Sequence, residues 1–176
     1  MIDTERLTLR RWEERDRPIL YRHCADPEVM RHFPALLTPA EVDAAIERQN
    51  GFLATHGYCF WVVEARASGE MIGFCGLKPG AEGTPLEGSV EIGWRFGKEH
   101  WGQGFAREAA EASLAWGFGN LDVPRIGAIT GPANTRSWGL MERIGMTRSL
   151  HEDFDHPAVP DDSPLKRHIT YWIARR

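Results

Sequence analysis

Two glycines, Gly102 and Gly104, stand where a strand-like run gives way to a helix-like one, and no other feature of the 176-residue chain restricts its fold as much. Before them, Ser89-Val90-Glu91-Ile92-Gly93-Trp94-Arg95-Phe96 reads as a strand, interrupted by a glycine that signals a bulge or a close approach of neighbouring groups. After them, Ala106-Arg107-Glu108-Ala109-Ala110-Glu111-Ala112-Ser113-Leu114 continues as an alanine-rich helix. Its small residues at 106, 109, 110, 113 and 117 suit a face that lies very close to a sheet. Pro124 to Gly131 reads as a second strand. Asn134 then caps a short helix carried by Trp138, Leu140, Met141 and Ile144 and closed by Gly145. A strand-helix-strand crossover of this kind makes the strands at 89–96 and 124–131 parallel neighbours.

The rest of the chain predicts antiparallel neighbours around that pair. Leu7 and Leu9 alternate within Thr4 to Trp12, the pattern of a half-buried strand, and Asp16-Arg17-Pro18 opens a helix. Thr38-Pro39-Ala40-Glu41 is a capping box, and the helix it starts stops at Gly57. The runs 58–65 and 70–77 flank a Ser68-Gly69 turn as a hairpin. A final hairpin, 146–154 and 168–174, encloses a long Pro- and Asp-rich connection. The expected fold class is therefore α/β in the α+β sense: a mixed, mostly antiparallel sheet of six to seven strands with a central parallel pair and helices on both faces, formed by 1–176 as one domain.

Composition narrows the function. With 42% apolar and 26% charged residues the chain is globular, and a net charge of −4 without a basic block offers no surface for nucleic acid. No stretch approaches the roughly 18 apolar residues that would span a bilayer, and Met1 to Arg6 has no apolar signal core, so no membrane association is expected. Cys24, Cys59 and Cys75 are an odd count with no close pair, which argues against a disulfide scaffold or zinc cluster and fits the cytoplasm.

The chemistry concentrates in His100-Trp101-Gly102-Gln103-Gly104-Phe105-Ala106. Glycines ahead of a helix leave several backbone N–H groups free in one concavity at the positive end of the helix dipole, which makes an anion site for a pyrophosphate. The segment lacks the Lys-Ser/Thr of a nucleoside-triphosphate loop and is too compact for a dinucleotide fingerprint, and the same turn would also serve merely to pack a helix on a sheet. The cysteines lie in apolar strands or at a helix end, where buried structural cysteine is the common case, which speaks against a covalent nucleophile. Asp155, His156, Asp161 and His168 match no metal-ligand spacing, so no metal is expected, and loop-bracing hydrogen bonds account for them.

Taken together, the order of elements, Trp101-Gly102-Gln103-Gly104-Phe105-Ala106 after Glu91-Ile92-Gly93-Trp94, and Asn134-Thr135-Arg136-Ser137 before Glu142-Arg143-Ile144-Gly145-Met146 resemble the GNAT superfamily of N-acetyltransferases. The RimJ/RimL-like branch is the nearest in pattern, and the likeness extends to Thr4-Glu5-Arg6-Leu7-Thr8-Leu9-Arg10 and Asp26-Pro27-Glu28-Val29-Met30. The resemblance implies acetyl-CoA as cosubstrate, a primary amine as acceptor, and direct attack without an acyl-enzyme. Trp101 stands where the family motif begins with Arg or Gln, while Gly104 and Ala106 match its two small positions. By the resemblance, backbone N–H groups from Gly102 to Ala106, Phe105 included, hold the pyrophosphate, with Gln103 at the mouth. The main chain of Trp94, Arg95 and Phe96 pairs with the pantetheine arm. Asn134 contacts the pantetheine side, and Ser137 protonates the departing thiolate, although both residue types also favour helix starts. Glu91 is the candidate base, with a salt-bridged strand carboxylate as its other reading. Arg31, His32, Phe33 and the loop at 155–168 are candidates for the acceptor wall. Relatives are commonly dimers, so a homodimer is compatible with the resemblance. The acceptor is either a protein N-terminal amine or a small-molecule amine. A non-catalytic acyl-CoA-binding or sensing module with the same fold is the alternative.

Overall fold

The structure, a computed structural model, describes residues 1–175. Its strands are β1 (Ile2–Asp3), β2 (Leu7–Arg10), β3 (Phe60–Ala65), β4 (Glu70–Pro79), β5 (Val90–Phe96), β6 (Arg125–Thr130), β7 (Thr147–Asp155) and β8 (Arg167–Ala174). The helices are α1 (Arg17–Ala25), α2 (Pro39–His56), α3 (Phe105–Asn120) and α4 (Thr135–Arg143), with short 3-10 turns at Glu14–Asp16 and Lys98–His100. The strands form one sheet in the order β1-β2-β3-β4-β5-β6-β8-β7, antiparallel throughout except for the β5–β6 pair. The mixed α/β architecture with its parallel pair is thus the expected one. The sheet has eight strands among the described residues, one more than the six to seven expected. The addition is β1, two residues folded back on Thr8 and Leu9, too short to carry a periodicity.

Local chemistry sets the element boundaries. At the start of α2, Thr38 accepts from the Glu41 backbone while the Glu41 carboxylate accepts from the Thr38 N–H at 2.8 Å, and Gly57 ends the helix in the left-handed region at φ +80°. Gly93 introduces no register shift. Instead the Phe60 ring lies 2.6 Å from where a Cβ on Gly93 would stand, so this glycine serves a close approach rather than a bulge. None of the described helices is long and apolar enough to cross a membrane.

Pairing register sorts the side chains of β5 between two faces. Val90, Ile92, Trp94 and Phe96 share a face with Cys75 and Leu77 of β4, and α3 covers it. Ala109, Ala110 and Ser113 are fully buried there, Ser113 Oγ meets Cys75 Sγ at 3.7 Å, and a Cβ on Gly117 would come within 2.6 Å of Leu77. The small-residue face of the helix exists to permit this approach. Glu91, Gly93 and Arg95 point to the opposite face, where α1 brings Cys24 against Arg95. Buried Leu20, Cys24, Val42 and Ile46 of α1 and α2 join the core on that side.

The β5–β6 pair closes over only two rungs, Val90 with Ile126 and Glu91 with Gly127. Beyond them β6 continues along β8 and β5 along β4, so a wedge opens between the parallel strands. The site is built on this wedge.

Candidate active site

A cleft of about 1280 Å³ runs from the Gly102–Gly104 turn, past the wedge, to the face carrying Glu91 and Arg95. At one end, the N–H groups of residues 102 to 107 find no protein acceptor among the described residues, and the first helical bond of α3 is Glu108 N–H to Gly104. Gly102 and Gly104 take φ of +75° and +83°, a conformation that glycine adopts without strain. Six unpaired donors at the start of a 16-residue helix form a strong cradle for phosphate oxygens. Two contacts fix its shape. Trp101 donates its indole N–H to the Phe96 carbonyl at 2.9 Å and lies 4.7 Å beneath Arg136. Arg6 donates to the Gln103 carbonyl at 2.9 Å while held by Glu108, which also takes the Thr4 hydroxyl and the Arg6 N–H. The Gln103 side chain itself is exposed and folds back onto the Glu99 carbonyl, so only its backbone faces the turn.

Along the wedge, the bond from Gly97 N–H to the Ile72 carbonyl sets the alternation of β5. The main-chain groups of Arg95 and Gly93 turn toward β4, while those of Trp94 and Phe96 turn toward the opening. The Phe96 carbonyl is taken by Trp101, which leaves Trp94 with both main-chain groups facing the wedge. An extended amide-bearing chain fits there as an added strand. Across the wedge, Asn134 accepts from Ser137 N–H at 3.3 Å and donates to Thr130 at 3.1 Å, so it caps α4 and ties it to β6. Ser137 lines the cleft, and its hydroxyl makes no hydrogen bond to protein among the described residues.

On the far face, Glu91 is buried and its carboxylate lies 2.5 Å from Lys78 Nζ. Burial pushes its carboxyl up, against the pull of the Lys78 ammonium and the Ala81 backbone. The salt-bridged reading of this residue is therefore correct as geometry, and the residue still borders the cleft. Lys78 is its cross-strand register partner; the Gly/Pro-rich stretch between them concealed this pairing in the sequence. Burial also raises the thiols of Cys59 and Cys75 to about 12, which leaves them inert as nucleophiles. Arg31, His32 and Phe33, the candidates for the acceptor wall, line the cleft, and no residue of 155–168 is among its lining residues. In that loop His156 and His168 stack at 4.8 Å, Pro157 approaches Gly83, and His156 lies near the Lys78 that pairs with Glu91. Lys166 braces it by donating to the Val159 carbonyl at 2.6 Å and pairing with Asp161 at 2.8 Å.

Burial holds His23, His32, His156 and His168 below the ordinary imidazole value of 6.5. Groups depressed in the folded state contribute stability above their unfolded value, and that stability is lost as pH falls through the folded one. The urea midpoint should accordingly drop between about pH 7.5 and 5.5, and His23→Gln should flatten part of that slope. A midpoint constant over this range would contradict the burial of these rings.

Comparison with known proteins places the fold in a family. Residues 6–147 match the family described as an acetyltransferase (GNAT) domain. An uncharacterised N-acetyltransferase, p20 of Bacillus licheniformis, is 33% identical over 157 residues, covering 86% of this chain and 85% of its own. The crystal structure of a GNAT-family acetyltransferase from Bacillus anthracis superposes with a TM-score of 0.80 at 26% identity, over 98% of this chain and 97% of the other. Spermidine N-acetyltransferase from Vibrio cholerae, solved with CoA and spermine, shares the fold at a TM-score of 0.73 and 19% identity, over 97% and 96% of the two chains. The chain belongs to the GNAT family of acetyltransferases and is an acyltransferase.

Proposed function

We propose that the chain is an N-acetyltransferase of the RimJ/RimL-like branch, moving the acetyl group of acetyl-CoA to a primary amine by direct attack within a ternary complex. The observation that carries this reading is the row of unpaired N–H groups at residues 102–107, set at one end of a cleft that reaches Glu91 through the wedge. Acetyl-CoA, when bound, supplies the activated acyl group. The turn at 102–107 and the α3 dipole hold the pyrophosphate. The Trp94 N–H polarises the acetyl carbonyl, with Asn134 bordering the pantetheine arm. Glu91 takes the proton of the acceptor ammonium, directly or through one water, and Ser137 protonates the departing thiolate. The acceptor is a protein N-terminal amine or a small amine.

The reading is tested by acetyl-CoA calorimetry followed, in the same preparation, by thiol release against amines and N-terminal peptides. Binding with amine-dependent release supports it. Binding without release from any amine would favour a sensing module, and no binding would overturn the assignment of the turn. Ser137→Ala should lower kcat by about one to two orders of magnitude with little change in acetyl-CoA affinity, since the hydroxyl acts on the thiolate and not on the ground state. An unchanged kcat across the pH range would remove Ser137 as the acid.

A further inference from the structure

Arg95 is a charged group of the cleft whose side chain the preceding reading leaves without a role, because only its main chain belongs to the pantetheine strand. Its side chain leaves β5 on the Glu91 face. The guanidinium lies 4.0 Å from the Phe33 ring centre and 5.4 Å from that of Phe74, which fixes its plane. Among the described residues its one hydrogen bond goes to Cys24 Sγ at 3.2 Å, a weak acceptor. Arg95 Nε is buried without a partner, and among the described residues no carboxylate pairs with the group. A guanidinium stays charged in a protein, so an uncompensated one in an aromatic-walled cleft is costly unless something anionic arrives.

The neighbouring charges do not offer that compensation. Glu28 is engaged by Lys98 and Arg31, each at 3.0 Å, and Glu91 by Lys78. Arg31, Arg107, Arg136 and Arg143 make the remaining charged wall cationic. A polyamine or other polycation would meet few free carboxylates here. Glu91 and Arg95 stand four residues apart on one face of β5, roughly 13 Å between Cα atoms, with Phe60 packed over Gly93 between them. With the Glu91 carboxylate held toward Lys78 and the Ala81 backbone, an acceptor of amino-acid size bound at Arg95 reaches it through water, and an N-terminal residue followed by an acidic one spans more of the interval.

We propose that Arg95 is the specificity-determining residue of the acceptor site and that the acceptor is a primary amine that also carries a carboxylate, its apolar part resting on Phe33, Phe60 and Phe74. This rests on the transferase reading for the amine and on geometry alone for the carboxylate. The guanidinium takes the carboxylate through the Nη that Cys24 leaves free, and the amine turns toward Glu91 and the wedge.

The test uses matched pairs that differ only in the anion: L-phenylalanine with L-phenylalaninamide, and short peptides beginning Ala-Asp with those beginning Ala-Asn, spermidine serving as the cationic control. Each is titrated into CoA-saturated protein by calorimetry and then assayed for thiol release with acetyl-CoA. The carboxylate member of at least one pair should be favoured by about one to two orders of magnitude in Kd or in kcat/KM, and the pair that shows it tells a free amino acid from an acidic N-terminus. Arg95→Met should erase the preference through KM, and Arg95→Lys should keep part of it. Selective binding without thiol release would uphold Arg95 while sinking the transferase reading. Thiol release with both members of each pair used equally, a preference that survives in Arg95→Met, or no binding of any carboxylate probe would overturn the proposal; the wild-type pairs decide it even where a variant folds poorly.

Discussion

Gly104→Glu should abolish acetyl-CoA binding, with a loss of at least about a hundredfold in Kd, or some 2.7 kcal/mol. Three effects point the same way. The substitution puts a carboxylate into the cradle of N–H donors that the proposed function gives to the pyrophosphate, so like charges would meet there. It also demands a side chain at φ +83°, where an L-residue is strained. Nearby Arg6 does not neutralise the new charge, since it already pairs with Glu108 and donates to Gln103. Gly104→Ala carries the strain without the charge and separates the two: it should lose about 1 kcal/mol of stability and far less affinity. Near-normal binding in Gly104→Glu would mean that the pyrophosphate lies elsewhere.

Glu91→Gln should lower kcat by about two to four orders of magnitude and remove the limb of the rate profile that rises with pH. A base acts only when ionised, so activity is low while Glu91 is protonated and rises as pH passes through its titration, which burial has moved upward. Lys78 opposes that movement at 2.5 Å, and Lys78→Met should therefore carry the limb to higher pH. The same change leaves a buried carboxylate unpaired and should destabilise the fold by about 3–5 kcal/mol, so its profile is measured below its melting transition. If Glu91→Gln leaves both kcat and the profile as they were, the ion pair is a structural tie between β4 and β5 and the acceptor proton leaves by another route.

Much of this architecture is readable in the sequence because its signals are local. The capping box at Thr38 and Glu41, the Ser68-Gly69 turn and the Gly102–Gly104 entry into α3 are each decided within a few residues, and the structure follows them closely. The small residues of α3 announced close packing because a helix can approach a sheet only where side chains are missing. Features set by tertiary register are not legible in this way. Lys78 reaches Glu91 only because β4 and β5 align across an intervening stretch of turns, and Arg6 clamps the Gly102–Gly104 turn from about a hundred residues away. The 155–168 loop, expected at the acceptor wall, contributes no lining residue to the cleft, and its shape rests on the His156–His168 stack and on Lys166 from within, contacts that no local pattern announces. For Arg95, the sequence marked the backbone segment and not the destination of its side chain. That destination depends on which face of β5 turns toward α1, a matter of sheet pairing alone.

The central claim, transfer by direct attack in a ternary complex, is tested most directly by intact-mass analysis of the protein mixed with acetyl-CoA, alongside initial rates of thiol release with both substrates varied. The account predicts an unmodified protein mass without acceptor, and double-reciprocal lines that intersect once an amine is present. A stoichiometric gain of one acetyl group on the protein that disappears on adding amine, together with parallel lines, would contradict it and point to a covalent intermediate on this chain.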